Sequence, residues 1–229
     1  SGDGCFDMRL LSPAERTVST PRRTSEEQAR HWDAAYAGRG VRGVSWYQGS
    51  PTVSLELIAA LGIGRDAAVI DVGGGASVLV DRLLEKGFTE VFVLDVSPAA
   101  LAESRRRLGD PAPVGWLCED LLVWRPGRRF DLWHDRAVFH FLVASADRDA
   151  YVRTLRSAIR PDGFVVLATF APDGPEFCSG LPVARYSAED LADLLGAGFE
   201  LLETRREEHV TPEGATQPFT WVAGSMRPS

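Results

Sequence analysis

The sequence predicts an α/β fold, a mostly parallel sheet with helices on both faces and an antiparallel hairpin at its C-terminal end. Three observations carry this expectation. Short apolar runs alternate with stretches of helical spacing. The first such run breaks into three consecutive glycines and then a helix. The last two runs, Phe199–Arg206 and Gln217–Ala223, are joined by Thr211-Pro212-Glu213-Gly214 and not by a helix, which reads as a hairpin.

The N-terminal residues 1–23 are rich in Ser, Thr, Pro, Gly and Arg without periodicity, and read as a flexible arm. A helix is expected over Ser25–Ala37, capped by Thr24 or Ser25 with Glu26 and Glu27 in its first turn. Trp32 and Tyr36 stand four apart on one face of it. Trp46-Tyr47 follows a Gly-rich turn, and Pro51 opens a second helix to about Leu61. Next comes Ala67-Ala68-Val69-Ile70-Asp71-Val72-Gly73-Gly74-Gly75, a buried strand that ends in a carboxylate and glycines, before the helical spacing of Val78–Leu84. Glycines allow a ligand to approach the backbone closely, and the new helix offers unpaired N–H groups. A second strand, Val91–Asp95, ends in a carboxylate twenty residues after Gly75, the separation at which an acidic side chain takes ribose hydroxyls.

Charge selects the nucleotide. Asp71 is a poor neighbour for the pyrophosphate of a dinucleotide and a good one for a cation. Val78 also stands where the third glycine of a dinucleotide turn would be. S-adenosylmethionine carries an ammonium and a sulfonium but no phosphate, and fits.

Beyond Asp95, Ser97 and Pro98 start a helix through Arg107, and Val114–Cys118 is a third strand followed by Glu119-Asp120. Phe130–Asp135 makes the fourth strand, which places His134, Asp135 and Arg136 at the edge of the crevice where open α/β sheets bind ligands. Asp135 and Arg136 can alternatively form a structural ion pair, and His140 can be a satisfied helix residue. A helix over Ala146–Ile159, a turn at Arg160-Pro161-Asp162-Gly163 and a fifth strand at Phe164–Phe170 follow. The loop Ala171–Pro182 is long enough for a lid or a pocket wall; Cys178 within it has no evident activating partner. Ser187 to Asp190 caps a last helix to about Leu195, and His209, near the turn of the hairpin, is expected in solvent without a role.

At these residues the chain resembles the class I S-adenosylmethionine-dependent methyltransferases, whose first motif is an acidic residue followed by alternating glycines. Trp32-Asp33-x-x-Tyr36, then Trp46-Tyr47, together with Asp135-Arg136-Ala137-x-Phe139, is similar to the branch that holds thiopurine methyltransferase and the elongation-factor lysine methyltransferases. The resemblance spans about residues 30 to 225. It implies a Rossmann-like seven-stranded sheet and one methyltransferase domain, 24–229, whose N-terminal part, 24–61, is an aromatic lid. It implies S-adenosylmethionine as cofactor and S-adenosylhomocysteine as product, with cofactor contacts from Trp32, Tyr36, Trp46, Asp71, Gly73, Gly75, Asp95, Asp120 and Asp135. By residue type alone the four lid aromatics are equally suited to packing a helix onto the sheet, and Asp120 to a polar strand end.

Methyl transfer is an in-line displacement, so a base is needed only where the acceptor must lose a proton; Asp135, His134 and His140 are the catalytic candidates. The expected acceptor is a heteroatom (S, Se, Te, N or O) of a small molecule. Alternatives are a lysine of a protein substrate, or a domain that binds the cofactor without turnover. An Asn-Pro-Pro-Tyr amine motif is absent.

Composition agrees with a single catalytic domain. The chain has 229 residues, 45 % hydrophobic, with 32 acidic against 25 basic residues for a net charge of -7, and Lys86 is its one lysine. With no basic stripe, nucleic acid is not expected as a partner. Cys5, Cys118 and Cys178 are too scattered for a disulfide framework or a metal site, no apolar run approaches the ~20 residues of a bilayer span, and the N-terminus lacks signal-peptide order. A cytoplasmic protein with no metal and no membrane association is expected; oligomeric state is not indicated.

Overall fold

The computed structural model describes residues 22–109 and 112–227, so the predicted arm lies outside the described residues except for Arg22 and Arg23. Strand β1 (Ala68–Val72) is buried along its whole length and must therefore stand inside a sheet covered on both faces. It pairs in parallel with β2 (Glu90–Asp95) on one side and β4 (Phe130–Arg136) on the other. The sheet continues outward through β3 (Val114–Cys118) beyond β2, and through β5 (Ile159–Phe170) beyond β4. Two antiparallel strands, β8 (Phe199–Val210) and β9 (Thr216–Met226), finish it in the order β3-β2-β1-β4-β5-β9-β8. This is the seven-stranded Rossmann-like sheet that was expected. Strand order reverses between β1 and β4, and a crevice opens there beyond the carboxyl ends.

Helices α1 (Ser25–Arg39), α2 (Thr52–Ala60), α3 (Leu79–Glu85), α4 (Pro98–Leu108), α5 (Ser145–Ala158) and α6 (Ala188–Leu195) cover the sheet. Thr24 and Glu27 form a reciprocal cap on α1, and Ser187 and Asp190 do so on α6. The period of two divides the core: Ile70, Trp133 and Val165 pack on one face, Val69, Leu132 and Val166 on the other. No helix among the described residues is long and apolar enough to cross a membrane.

Two local readings are corrected. Residues Arg160 to Gly163 do not lead into the fifth strand from outside; Ile159, itself buried, already pairs with Phe130, and the register then slips so that Phe164 faces Leu132. The Pro-Asp-Gly excursion is absorbed as a bulge inside β5, with Asp162 at φ 59. His209 is 5 % exposed instead of solvated, because the lid segment lies over it and the Ser45 carbonyl sits 2.7 Å from its Nε2. The Ala171–Pro182 loop folds a small hairpin, β6 (Phe177–Cys178) with β7 (Leu181–Pro182), which buries Cys178.

Asp135, at the end of β4, is sealed in the core. The Tyr151 hydroxyl and the Val138 N–H donate to its two oxygens at 2.7 and 2.9 Å, and Trp133 donates to Tyr151 at 2.9 Å. Burial nonetheless pushes the carboxyl up to about 7. An unfolded aspartate ionises near 3.9, so the folded chain keeps this proton longer; the resulting stabilisation is complete below about pH 4 and is lost as pH rises through 7. Asp135→Asn carries no such proton. In denaturant titrations the parent is expected to lose stability relative to that variant, by at most about 1.4 kcal/mol per pH unit between pH 4 and 7; parallel pH profiles would count against a buried titrating carboxyl.

Candidate functional site

The strand ends at the crevice meet a glycine turn that is held from behind. Ser104 on α4 donates to the Gly75 carbonyl at 2.7 Å, and Arg107 to the carbonyls of Ala76 and Ser77 at 3.1 and 2.7 Å. Gly75, at φ 38, has no room for a side chain: a Cβ there would lie 2.7 Å from Asp95 Oδ2 and 3.1 Å from the Tyr36 hydroxyl. On Gly74 a Cβ would collide with Asp71 Oδ2. The turn is thus a cradle of bare backbone between two carboxylates.

Asp71 is 2 % exposed. Its Oδ1 receives a hydrogen bond from His134 Nδ1 at 2.7 Å, while Oδ2 is buried with no partner among the described residues. His134 lies opposite Asp71 in the strand register, and its Nε2 stands 3.0 Å from Ser54 Oγ of α2. Asp95 accepts from the Ser97 N–H at 2.8 Å; desolvation, reinforced by Asp71 and Asp33, pushes its carboxyl up to about 7.

The segment predicted as a lid crosses this edge. Asp33 Oδ1 accepts from Ser97 Oγ at 2.6 Å and from the Ala99 N–H at 3.3 Å, which fastens α1 to the start of α4. Trp32 meets Trp46 and Phe141 edge-on, with ring centroids 5.7 and 5.0 Å apart, and Trp46 donates to the Tyr36 hydroxyl at 3.4 Å. At the other end of the crevice, Asp120 accepts from the Leu122 N–H at 3.0 Å, from Ser25 Oγ at 2.7 Å and from Arg22 at 2.5 Å.

Three cavities share Gly73 as a wall. One, of about 570 Å³, runs from Tyr36, Trp46 and Tyr47 to Asp71, His134 and Arg136. A second, of about 470 Å³, lies between Gly73, Asp95, Asp120 and Val138. The third, of about 480 Å³, is a chamber among Trp32, Trp46, Asp95, Arg136, Phe141 and Cys178.

The predicted set therefore divides. Trp32, Tyr36, Trp46, Asp71, Gly73, Asp95, Asp120 and His134 line the cavities, and Gly75 supports their floor. Asp135 and His140 do not reach them. His140 is fully buried against Phe170, its Nδ1 accepts from the Phe170 N–H at 3.4 Å, and burial next to Arg136 pushes it down to about 3. The Asp135–Arg136 ion pair does not form either; the carboxylate nearest the Arg136 guanidinium is Glu207, 3.8 Å from Nε.

Arg136 is the residue whose weight in the site was missed. Only 9 % of its side chain is exposed. Nη1 donates to the Trp46 carbonyl at 3.0 Å, the guanidinium lies 4.6 Å over the Phe219 ring, and Nη2 has no partner among the described residues. Burial pulls its pKa down to about 10, so it stays a cation at neutral pH. The position at the strand end was legible; the desolvation was not, since Glu207 and Phe219 come from the distant hairpin.

The chain is similar to known proteins at three levels. A family profile described as a methyltransferase domain matches residues 70–165. Thiocyanate methyltransferase 1 of Brassica oleracea is 31 % identical over 184 residues, 77 % of this chain and 78 % of that one. EEF1A lysine methyltransferase 2 of Danio rerio is 25 % identical over 190 residues, 75 % of each. Among solved structures, the 1,6-didemethyltoxoflavin-N1-methyltransferase of Burkholderia thailandensis, with S-adenosylhomocysteine bound, shares the fold at TM-score 0.68 and 23 % identity, over 92 % of this chain and 94 % of that one.

The lid's docking is testable without any ligand. Asp33→Ala removes both bonds to the start of α4, worth about 1–2 kcal/mol together. Faster amide hydrogen exchange confined to α1 is expected, with the core strands unchanged; unaltered exchange in α1 would show that Asp33 does not fasten the lid.

Proposed function

This chain belongs to the S-adenosylmethionine-dependent methyltransferases, and we propose that it transfers the methyl group to a soft, anionic heteroatom of a small molecule, a thiolate or a thiocyanate-like ion. The observation that carries the reading is Arg136, a nearly buried cation whose Nη2 has no partner among the described residues, in the wall of the aromatic chamber. A desolvated guanidinium without a full set of acceptors is costly, and an anion offsets that cost.

The residues present suit the cofactor. The orphaned Asp71 Oδ2 and the bare backbone at Gly74 and Gly75 make a cradle with a carboxylate for an ammonium. Asp95 is assigned to the ribose hydroxyls and Asp120 to the adenine amino group, where Ser25 and Arg22 now donate. S-adenosylmethionine supplies the methyl on a sulfonium. Trp32 and Trp46 offer ring faces and edges beside the reacting centre and exclude water from it. Arg136 orients the acceptor by its charge. No base is assigned: His134 Nε2 is turned to Ser54 Oγ in a ring only 2 % exposed, and Asp135 and His140 are sealed in the core. An acceptor that arrives as an anion requires none.

Thiocyanate, named in one relative, is such an ion. A lysine acceptor, which the Danio rerio relative's name suggests, would have to bring an ammonium past Arg136 and lose its proton there. The site is read as catalytic and not as a silent binder because the acceptor chamber adjoins the cofactor cavities at Gly73.

The test is a transfer assay with methyl-labelled S-adenosylmethionine, offering thiocyanate, a series of thiols and a cell extract separated by size. Volatile or small labelled products are expected, and label confined to protein would overturn the reading. Arg136→Met is expected to raise KM for an anionic acceptor at least about tenfold, with S-adenosylhomocysteine affinity changed less than about threefold.

A further inference from the structure

We propose that Ser54 and His134 form a positioning pair for Asp71, turning one oxygen of that carboxylate toward the ammonium of the cofactor's amino-acid end; this rests on the methyl-donor reading above. The three side chains run in a line, Ser54 Oγ to His134 Nε2 at 3.0 Å and His134 Nδ1 to Asp71 Oδ1 at 2.7 Å, and they are 1 %, 2 % and 2 % exposed. A carboxylate only accepts, so Nδ1 carries a proton, and in the neutral ring Nε2 accepts from the serine hydroxyl. The line therefore has a direction: serine O–H to imidazole, imidazole N–H to carboxylate.

That direction determines what is left over. Oδ1 is taken and Oδ2, buried and without a partner among the described residues, is turned to the glycine turn, where a Cβ on Gly74 would run into it. The opening it faces is the cavity lined by Tyr36, Tyr47, Gly73 and Gly74. Two further carboxylates, Asp95 and Asp135, each feel the charge of Asp71 through space. A position among carboxylates, with one oxygen unbonded, calls for a cation with N–H donors, and an ammonium is one.

His134 Nε2 is turned to Ser54 in a ring only 2 % exposed, so its proposed part is to orient Asp71 and not to touch the reacting atoms. Ser54 lies on α2, part of the predicted lid, and Asp71 on the central strand. Rotation of the Asp71 carboxylate is thus controlled across the boundary between lid and sheet. The other neighbour of the ring, Trp221, lies 6.2 Å away between centroids and packs against it without a hydrogen bond to it.

Two ligands separate positioning from mere folding. S-adenosylhomocysteine carries the amino-acid end, whereas 5′-methylthioadenosine has the same adenosine and thioether without it. By calorimetry on the full chain, Ser54→Ala is expected to weaken S-adenosylhomocysteine about threefold and His134→Phe at least about tenfold, while 5′-methylthioadenosine changes less than about twofold in both. His134→Asn, which keeps an N–H near the place of Nδ1, is expected to recover most of the loss. Equal losses for the two ligands, or undiminished S-adenosylhomocysteine binding in His134→Phe, would overturn the proposal. A parent that binds neither ligand would sink the methyl-donor reading itself, and this inference with it.

Discussion

Parallel pairing sets the carboxyl ends of β1, β2 and β4 side by side, and each carries an aspartate as its last residue or the one before: Asp71, Asp95 and Asp135. Three buried or half-buried carboxylates at adjacent strand ends repel one another and are poorly solvated, so each must be answered separately. Asp135 is answered by Tyr151 and the Val138 N–H, Asp95 by the Ser97 N–H, and Asp71 on one oxygen by His134. What remains unanswered defines the site. Asp71 Oδ2 has no partner among the described residues, and Asp95, which lines two of the cavities, is pushed up to about 7.

The segment expected as a lid, 24–61, responds to the same constraint. Its bonds to the body fall on polar groups of the crevice edge: Ser25 on Asp120, Asp33 on Ser97, the Trp46 carbonyl on Arg136 and the Ser45 carbonyl on His209. Gln48 adds a bond to Glu207, 2.6 Å long, and Glu207 also accepts from Trp221. The aromatic side chains are thereby held in place by their backbone neighbours as well as by ring packing. A segment fastened through groups that also face the cavities is mechanically coupled to whatever fills them.

Much of this was legible in the chain. β3 was read at its observed limits, and the capping residues of α1, α4 and α6 showed where those helices begin, because strand runs and caps are local signals. Asp71, Asp95 and the glycines could be read because they too lie in one short stretch. The contributions of residues distant in sequence could not. His209 looks like a solvated hairpin residue until Ser45 covers it, and Arg136 looks like half of an ion pair with its neighbour until Glu207 and Phe219 arrive. Ser54 carries no signal at all in α2; only the strand register that places His134 beside Asp71 reveals what it touches. Asp135 and His140 fail as cavity groups for the converse reason: alternation and the turn at Val138 to Phe141 direct them inward.

The same distribution of charge bears on the chemistry. Asp95 and Arg136 line one chamber together with Trp32, Trp46 and Phe141, and Asp71 shares the first cavity with Arg136. A sulfonium and an anion annihilate charge as the methyl moves, so their transition state is less charged than the separated reactants and gains from an apolar, enclosed setting. A neutral amine offers no such gain, because positive charge is merely relocated toward Arg136. For the anionic acceptor proposed above, the enclosing aromatic rings favour the charge-cancelling transfer, while the buried cation of Arg136 serves to draw the acceptor in, independently of which small anion fits.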